Sequence, residues 1–136
     1  MKFKYKLEEI SKVSQIISEK IKNGGVLALF GNIGSGKTTL SKEIAKDLNI
    51  KNWKVKSPTY TYIRRYPEKN FYHIDLYRLE KADQTIFEEI NEIQNYEKNI
   101  IIIEWPELYN ENLPRKAIKA YLKYISENTR EIEISF

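Results

Sequence analysis

Cysteine is absent from the 136-residue chain, and histidine occurs once, as His73. The first absence excludes a disulfide scaffold, a thiolate metal site and a thiol nucleophile. The second leaves no multi-histidine zinc site and no conventional serine–histidine triad set. No apolar run approaches the ~20 residues of a membrane span; the longest, residues 100–103, has strand length. The first six residues, Met1-Lys-Phe-Lys-Tyr-Lys6, are basic but lack the apolar stretch of a signal peptide, so a cytoplasmic protein without membrane contact is expected. Charge of one sign is also scarce: 23 Lys and Arg against 19 Asp and Glu leave a net +4, which permits a phosphate or nucleic-acid partner without demanding one. Hydrophobic residues at 41% and charged residues at 31% fit a soluble globular protein with a real core. The length fits one domain, residues 1–136.

The hydrophobic pattern changes period along the chain. Leu7, Ile10, Val13, Ile16, Ile17 and Ile21 recur at helical spacing, so residues 7–22 are expected to form an amphipathic helix, ended by Asn23-Gly24-Gly25. Residues 26–30 make a short apolar strand, and a glycine-rich loop follows. Residues 38–48 read as a helix with Leu40, Ile44, Ala45 and Leu48 inward. The aromatic-rich stretches 60–66 and 71–77, joined by Pro67-Glu-Lys-Asn70, predict a β-hairpin. Residues 82–96 carry Ile86, Phe87, Ile90 and Ile93 at helical spacing. The four isoleucines 100–103 are too apolar to alternate and predict a strand covered on both faces. Two alternating stretches, one with Ile118, Ala120, Leu122 and Tyr124 and one with Ile132, Ile134 and Phe136, predict a C-terminal hairpin turning at residues 127–129. Helices interspersed with buried strands predict a single α/β three-layer sandwich, its central sheet mixed and mainly parallel with antiparallel hairpins.

The loop between the first apolar strand and the helix after it carries the chemistry. Gly31-Asn-Ile-Gly-Ser-Gly-Lys37-Thr38 fits G-x-x-x-x-G-K-[ST] in full. Glycines let successive backbone N–H groups turn inward around a phosphate, because no Cβ blocks the loop. The following helix points its positive N-terminus at the same anion. Lys37 can then reach the β- and γ-phosphates, and the Thr38 hydroxyl can ligate Mg²⁺. The pattern is expected to be the nucleoside-triphosphate loop of the P-loop proteins, the alternative being a glycine-rich turn with a coincidental lysine.

Magnesium requires further oxygen ligands. Glu104 follows the isoleucine strand, the position for a second carboxylate, although strand-end glutamates are also ordinary surface residues. Ser57-Pro58-Thr59 follows the loop helix. There Thr59 could approach the γ-phosphate as in switch loops, or close a local turn before a strand. His73, Asp75 and Tyr77 alternate and would share one strand face. That face could line a site with Asp75 orienting a water, or could be a solvated sheet face. Trp105 reads as a packed strand-end aromatic or as a nucleotide stacker, and its place beside Glu104 would make it a reporter of the bound state.

Four segments in this order resemble the TsaE family (formerly YjeE): GNIGSGKTTL at 31–40, SPTYTYIRRY at 57–66, HIDLYRL at 73–79 and IIIEWPEL at 101–108. A C-terminal hairpin with Arg130 near its turn also fits. The resemblance implies a P-loop ATPase of the bacterial system that makes threonylcarbamoyladenosine in tRNA. It implies that Gly31, Asn32, Ile33, Gly34, Ser35, Gly36, Lys37, Thr38 and Thr39 hold the ATP phosphates. Thr38 and Glu104 would hold Mg²⁺, Asp75 would contact the nucleotide or its water, and Thr59 would lie in a switch-I-like loop. Trp105 would be a switch-II-like tryptophan, and Arg130 would join the nucleotide site. The implied partners are the TsaD and TsaB proteins, with tRNA reached through their complex. The chain departs from the family pattern at Asn32, where aspartate is usual, and at Ser35, where alanine is frequent. A glycine common after the HxDLYR segment is also replaced near Asn91.

The expected activity is therefore Mg²⁺-dependent ATP hydrolysis, slow in isolation and raised by partners. Two alternatives stay open at this point. One is a small P-loop phosphotransferase, for which a chain of this length leaves little room for an acceptor pocket and lid. The other is a nucleotide-gated binding module with no catalytic role.

Overall fold

The computed structural model describes residues 1–51, 53 and 62–136. The described residues form one seven-stranded sheet in the order β1-β7-β6-β2-β5-β4-β3. Its strands are β1 Lys2–Lys6, β2 Gly25–Phe30, β3 Ile63–Tyr66, β4 Phe71–Asp75, β5 Ile100–Glu104, β6 Ile118–Ser126 and β7 Thr129–Ser135. The helices are α1 Ile10–Ile21, α2 Lys37–Asp47 and α3 Gln84–Gln94. The four strands at the centre, β6, β2, β5 and β4, run parallel, and antiparallel pairs flank them on both sides. The expected three-layer α/β sandwich is thus the observed one.

Two cores explain the layers. On one face α1 and α2 bury Val13, Ile17, Ile21, Leu40 and Ile44 against Leu27, Leu29, Ile102, Ala120 and Ile132. On the other, α3 buries Phe87, Ile90 and Ile93 against Ile101, Ile103 and Ile74, with Tyr109 filling the edge. Every residue of β5 is buried, which is why its sequence does not alternate. Burying each isoleucine contributes about 1.5–3 kcal/mol, so this strand anchors both layers.

The differences from expectation are local and physical. The first helix does not start as an α-helix at Leu7: residues Leu7–Glu9 form a 3-10 turn before α1. The Leu7 N–H is tied to the Asn128 carbonyl at 2.9 Å, and the Glu9 carboxylate accepts the Lys6 N–H at 2.9 Å, so the entry is tightened. Strand β4 ends at Asp75, whose Oδ1 accepts the Tyr77 N–H at 3.0 Å and turns the chain. Tyr77 therefore leaves the strand face on which it was placed and is exposed. Asp83 caps α3 by accepting the Ile86 N–H at 3.1 Å. The β6–β7 register runs unbroken to Tyr124 and shifts between Tyr124 and Ser126; Tyr124 is exposed, with the Arg130 guanidinium over its ring. Strand β1 has no counterpart in the sequence reading: Phe3 and Tyr5 alternate with lysines, but the pairing partner is β7 at the far end of the chain. Residues 54–61, including Ser57, Pro58 and Thr59, lie outside the described residues.

Candidate nucleotide site

The glycine-rich loop connects β2, at the middle of the sheet, to the N-terminus of α2. Two glycines have definite reasons. A Cβ at Gly31 would stand 2.5 Å from the Ser35 Oγ and 2.7 Å from the Leu122 carbonyl oxygen of β6, so the loop is pressed onto the sheet. Gly36 caps α2 with φ +107°, a left-handed conformation that frees the helix N-terminus to face the loop.

Lys37 is nearly fully buried. Its ammonium donates to the Gly31 carbonyl and, at 3.2 Å, to the Asn32 carbonyl. It lies 3.6 Å from the centroid of the Trp105 ring. Burial pulls the ammonium below the ordinary lysine value, against the opposing pull of Glu104, Glu107 and Asp75. Trp105 is held there with φ +56°, outside the regions that a bulky side chain prefers. Its ring also meets that of Tyr77, centroids 5.0 Å apart.

Thr38 and Glu104 are brought into contact: the threonine hydroxyl donates to Oε1 at 2.9 Å. The other carboxylate oxygen, Oε2, lies 2.5 Å from His73 Nε2 and 3.1 Å from the Ser41 hydroxyl. Burial pushes the Glu104 carboxyl up. The bonds from His73, Thr38 and Ser41 outweigh it and hold the group below the usual glutamate range. Glu104 is therefore a buried carboxylate hydrogen-bonded at both oxygens, not a solvated strand-end residue. Asp75 stands directly opposite Glu104 in the parallel pairing of β4 and β5. Burial raises its carboxyl. The Tyr77 N–H opposes that shift, the charge of Glu104 adds to it, and His73 and Lys37 pull it back.

Lys37, Thr38, Asp75 and Trp105 open on a cleft of about 460 Å³, also lined by Asn32, Ile33, Gly34, Gly36, Thr39, Tyr77 and Arg130, with Glu104 buried behind Thr38. Ser35 is buried behind the loop instead of lining the cleft. Arg130 reaches the rim, but its Nη1 donates to the Ser126 and Thr129 carbonyls at 2.7 and 3.1 Å, and its guanidinium stacks on Tyr124. A larger cavity, about 720 Å³, lies between the segment after α2 and the β3–β4 turn, and no candidate residue lines it. Among the described residues no cluster of three acidic or histidine side chains could hold a metal by itself. Thr38 with Glu104 is a hard-oxygen pair suited to Mg²⁺, which commonly takes one or two carboxylates and completes its shell with phosphate and water. The sequence reading missed Ser41 and the contact of His73 with Glu104. Ser41 lies three residues past Thr38 on the same helix face, a spacing that could have marked it.

A triphosphate-type loop joined to a central parallel strand, with a buried carboxylate on the neighbouring strand, places the chain among the α/β P-loop proteins. Within that class, the chain belongs to the family described as threonylcarbamoyl adenosine biosynthesis protein TsaE, whose profile matches residues 5–132. Relatives carrying the name tRNA threonylcarbamoyladenosine biosynthesis protein TsaE agree. The one from Rickettsia felis is 34% identical over 125 residues, covering 90% of this chain and 72% of its own. The Bacillus subtilis relative is 32% identical, covering 92% and 78%. The Aquifex aeolicus relative is 34% identical, covering 93% and 89%. The crystal structure of Bacillus subtilis YdiB superimposes with a TM-score of 0.71 at 27% identity, over 97% of this chain and 83% of that one. No helix among the described residues is long and apolar enough to cross a membrane.

Proposed function

We propose that the protein is a Mg²⁺-dependent ATPase that serves threonylcarbamoyladenosine formation in tRNA, in the cytoplasm. It would act with TsaD and TsaB and reach tRNA through their complex. What carries the reading is the Thr38 hydroxyl on Glu104 Oε1 beside the Lys37 loop. Lys37 would exchange the Gly31 and Asn32 carbonyls for β- and γ-phosphate oxygens, with the loop amides of residues 31–39 as further donors. Thr38 and Glu104 would hold Mg²⁺, which would supply positive charge against the phosphate groups. Asp75, raised by burial and opposite Glu104, would accept a hydrogen bond from the attacking water and orient it. Arg130 would join the nucleotide by releasing its turn carbonyls. With that arginine engaged elsewhere, slow turnover in isolation and stimulation by partners are expected.

Calorimetry of ATP into the protein with and without Mg²⁺, followed by phosphate release with and without TsaD and TsaB, tests this. Saturable Mg²⁺-dependent uptake and partner-stimulated phosphate release are expected. No saturable uptake of ATP would reject the reading. A phosphorylated small-molecule acceptor in place of free phosphate would replace it with a phosphotransferase.

A further inference from the structure

The two oxygens of Glu104 face different neighbours. Among the described residues, Oε1 has one partner, the Thr38 hydroxyl, and Oε2 has two, His73 and Ser41. Ser41 holds weakly, because its single proton is divided between Oε2 at 3.1 Å and the Lys37 carbonyl at 3.0 Å. His73 holds tightly, at 2.5 Å, in a site where histidine and glutamate are 5% and 1% exposed. The register explains the reach: His73 pairs with Ile102, and Glu104 lies two residues on along the same face of β5. His73 Nδ1 is buried and has no partner among the described residues; the bond to Glu104 and the packing of the ring against Trp53, centroids 4.8 Å apart, hold it in place.

We propose that His73 is a positioning residue: its Nε2–H pins Oε2 so that Oε1 alone is presented beside Thr38 as the metal-facing oxygen. The inference rests on the ATPase reading above and concerns how its metal ligand is aimed. Without the pin, the carboxylate could rotate about its terminal torsion, which is broad for glutamate, and hold neither oxygen fixed beside Thr38. A partner of this kind typically changes metal affinity by about 10–100-fold.

The test is a titration of mant-ATP fluorescence in EDTA and across a range of Mg²⁺ concentrations. In EDTA, His73→Phe should bind mant-ATP with about the wild-type affinity, because the lysine loop is untouched. Its Mg²⁺ midpoint should rise by about tenfold or more. His73→Gln, whose amide N–H reaches about as far as Nε2, should return the midpoint to within about threefold of wild type. His73→Asn, too short to reach Oε2, should behave like the phenylalanine variant and serves if that variant fails to fold. An unmoved Mg²⁺ midpoint in the short or apolar variants overturns the proposal. So does an equal loss of affinity with and without Mg²⁺, which marks a purely structural histidine. A wild-type protein with no Mg²⁺-dependent mant-ATP binding sinks the ATPase reading instead, before any variant is made.

Discussion

The Lys37 ammonium lies against the face of the Trp105 ring, 3.6 Å from its centroid, while the tryptophan backbone is held at φ +56°. A cation over an indole in a partly desolvated site contributes about 1–2 kcal/mol. A bulky residue in the left-handed region costs of order 1–3 kcal/mol. The two terms nearly offset, so the position of the tryptophan is sensitive to where the lysine points.

Binding of a triphosphate would draw Lys37 away from the ring, and Trp105 emission should report it. The chain has two tryptophans, and Trp53 stacks on Tyr66. In a Trp53→Phe background, emission should change saturably with MgATP, and the added substitution Lys37→Ala should abolish the change. Constant emission at an ATP concentration that calorimetry shows to be saturating would mean that lysine and indole are not coupled.

Glu104→Gln keeps the size of the side chain and removes its charge. ATP turnover in the presence of partners should fall by about 100-fold or more, since a preorganised charge at the reacting phosphate is lost. Glu104→Ala should in addition destabilise the fold by about 1–3 kcal/mol, because Thr38, Ser41 and His73 lose their buried acceptor. Threonylcarbamoyladenosine levels in cells carrying Glu104→Gln decide between the remaining readings. Modified tRNA that persists without turnover would make the chain a nucleotide-gated module.

The parts of this site legible in the sequence are the local ones. Residues 31–38 are contiguous, and their glycine spacing is itself the mechanism. Glu104 could be found because four isoleucines before it mark an inner strand. His73 could not be paired with Glu104 in advance: the contact joins residues on separate strands and depends on the β4–β5 register, which the turn at Asp75 and the parallel crossover set. Ser41 carries no signal beyond its spacing of three residues from Thr38 on one helix face. Trp105 turns over Lys37 through a positive φ at a residue type that does not advertise one. Strand β1 stayed hidden because its pairing with β7, not its own composition, makes it a strand.

Alanine at two loop glycines should separate backbone strain from crowding. Gly34 has φ +84° and open space where a Cβ would go, so Gly34→Ala should destabilise by about 1–2 kcal/mol from conformation alone. Gly31 has φ +150°, and its Cβ would meet the Leu122 carbonyl oxygen at 2.7 Å, a backbone atom fixed in the sheet. Gly31→Ala should therefore lose a further ~1–3 kcal/mol. Urea unfolding of the two variants measures the difference; equal losses would mean that β6 yields to the extra methyl.

Tyr109, which does not line the nucleotide cleft, gives a pH signature of its own. It is fully buried, its ring is edge-on to Phe87 with centroids 5.0 Å apart, and its hydroxyl donates to Asn91 Oδ1. Burial pushes the phenol up to about 12. In the unfolded chain it titrates near ~10. Between those values the unfolded state holds fewer protons than the folded one, so stability falls as pH rises, by up to about 1.4 kcal/mol per unit. The stabilising contribution is complete below pH ~10 and is lost through about 12. Other tyrosines and lysines titrate in the same window, so the informative quantity is the difference from Tyr109→Phe. That variant should be less stable by about 1 kcal/mol at pH 8, where only the hydrogen bond is missing. As the pH rises the gap should close and then reverse, because phenylalanine has no proton to hold. Parallel unfolding curves across this range would show that the phenol reaches solvent in the folded protein and ionises there as freely as in the unfolded chain.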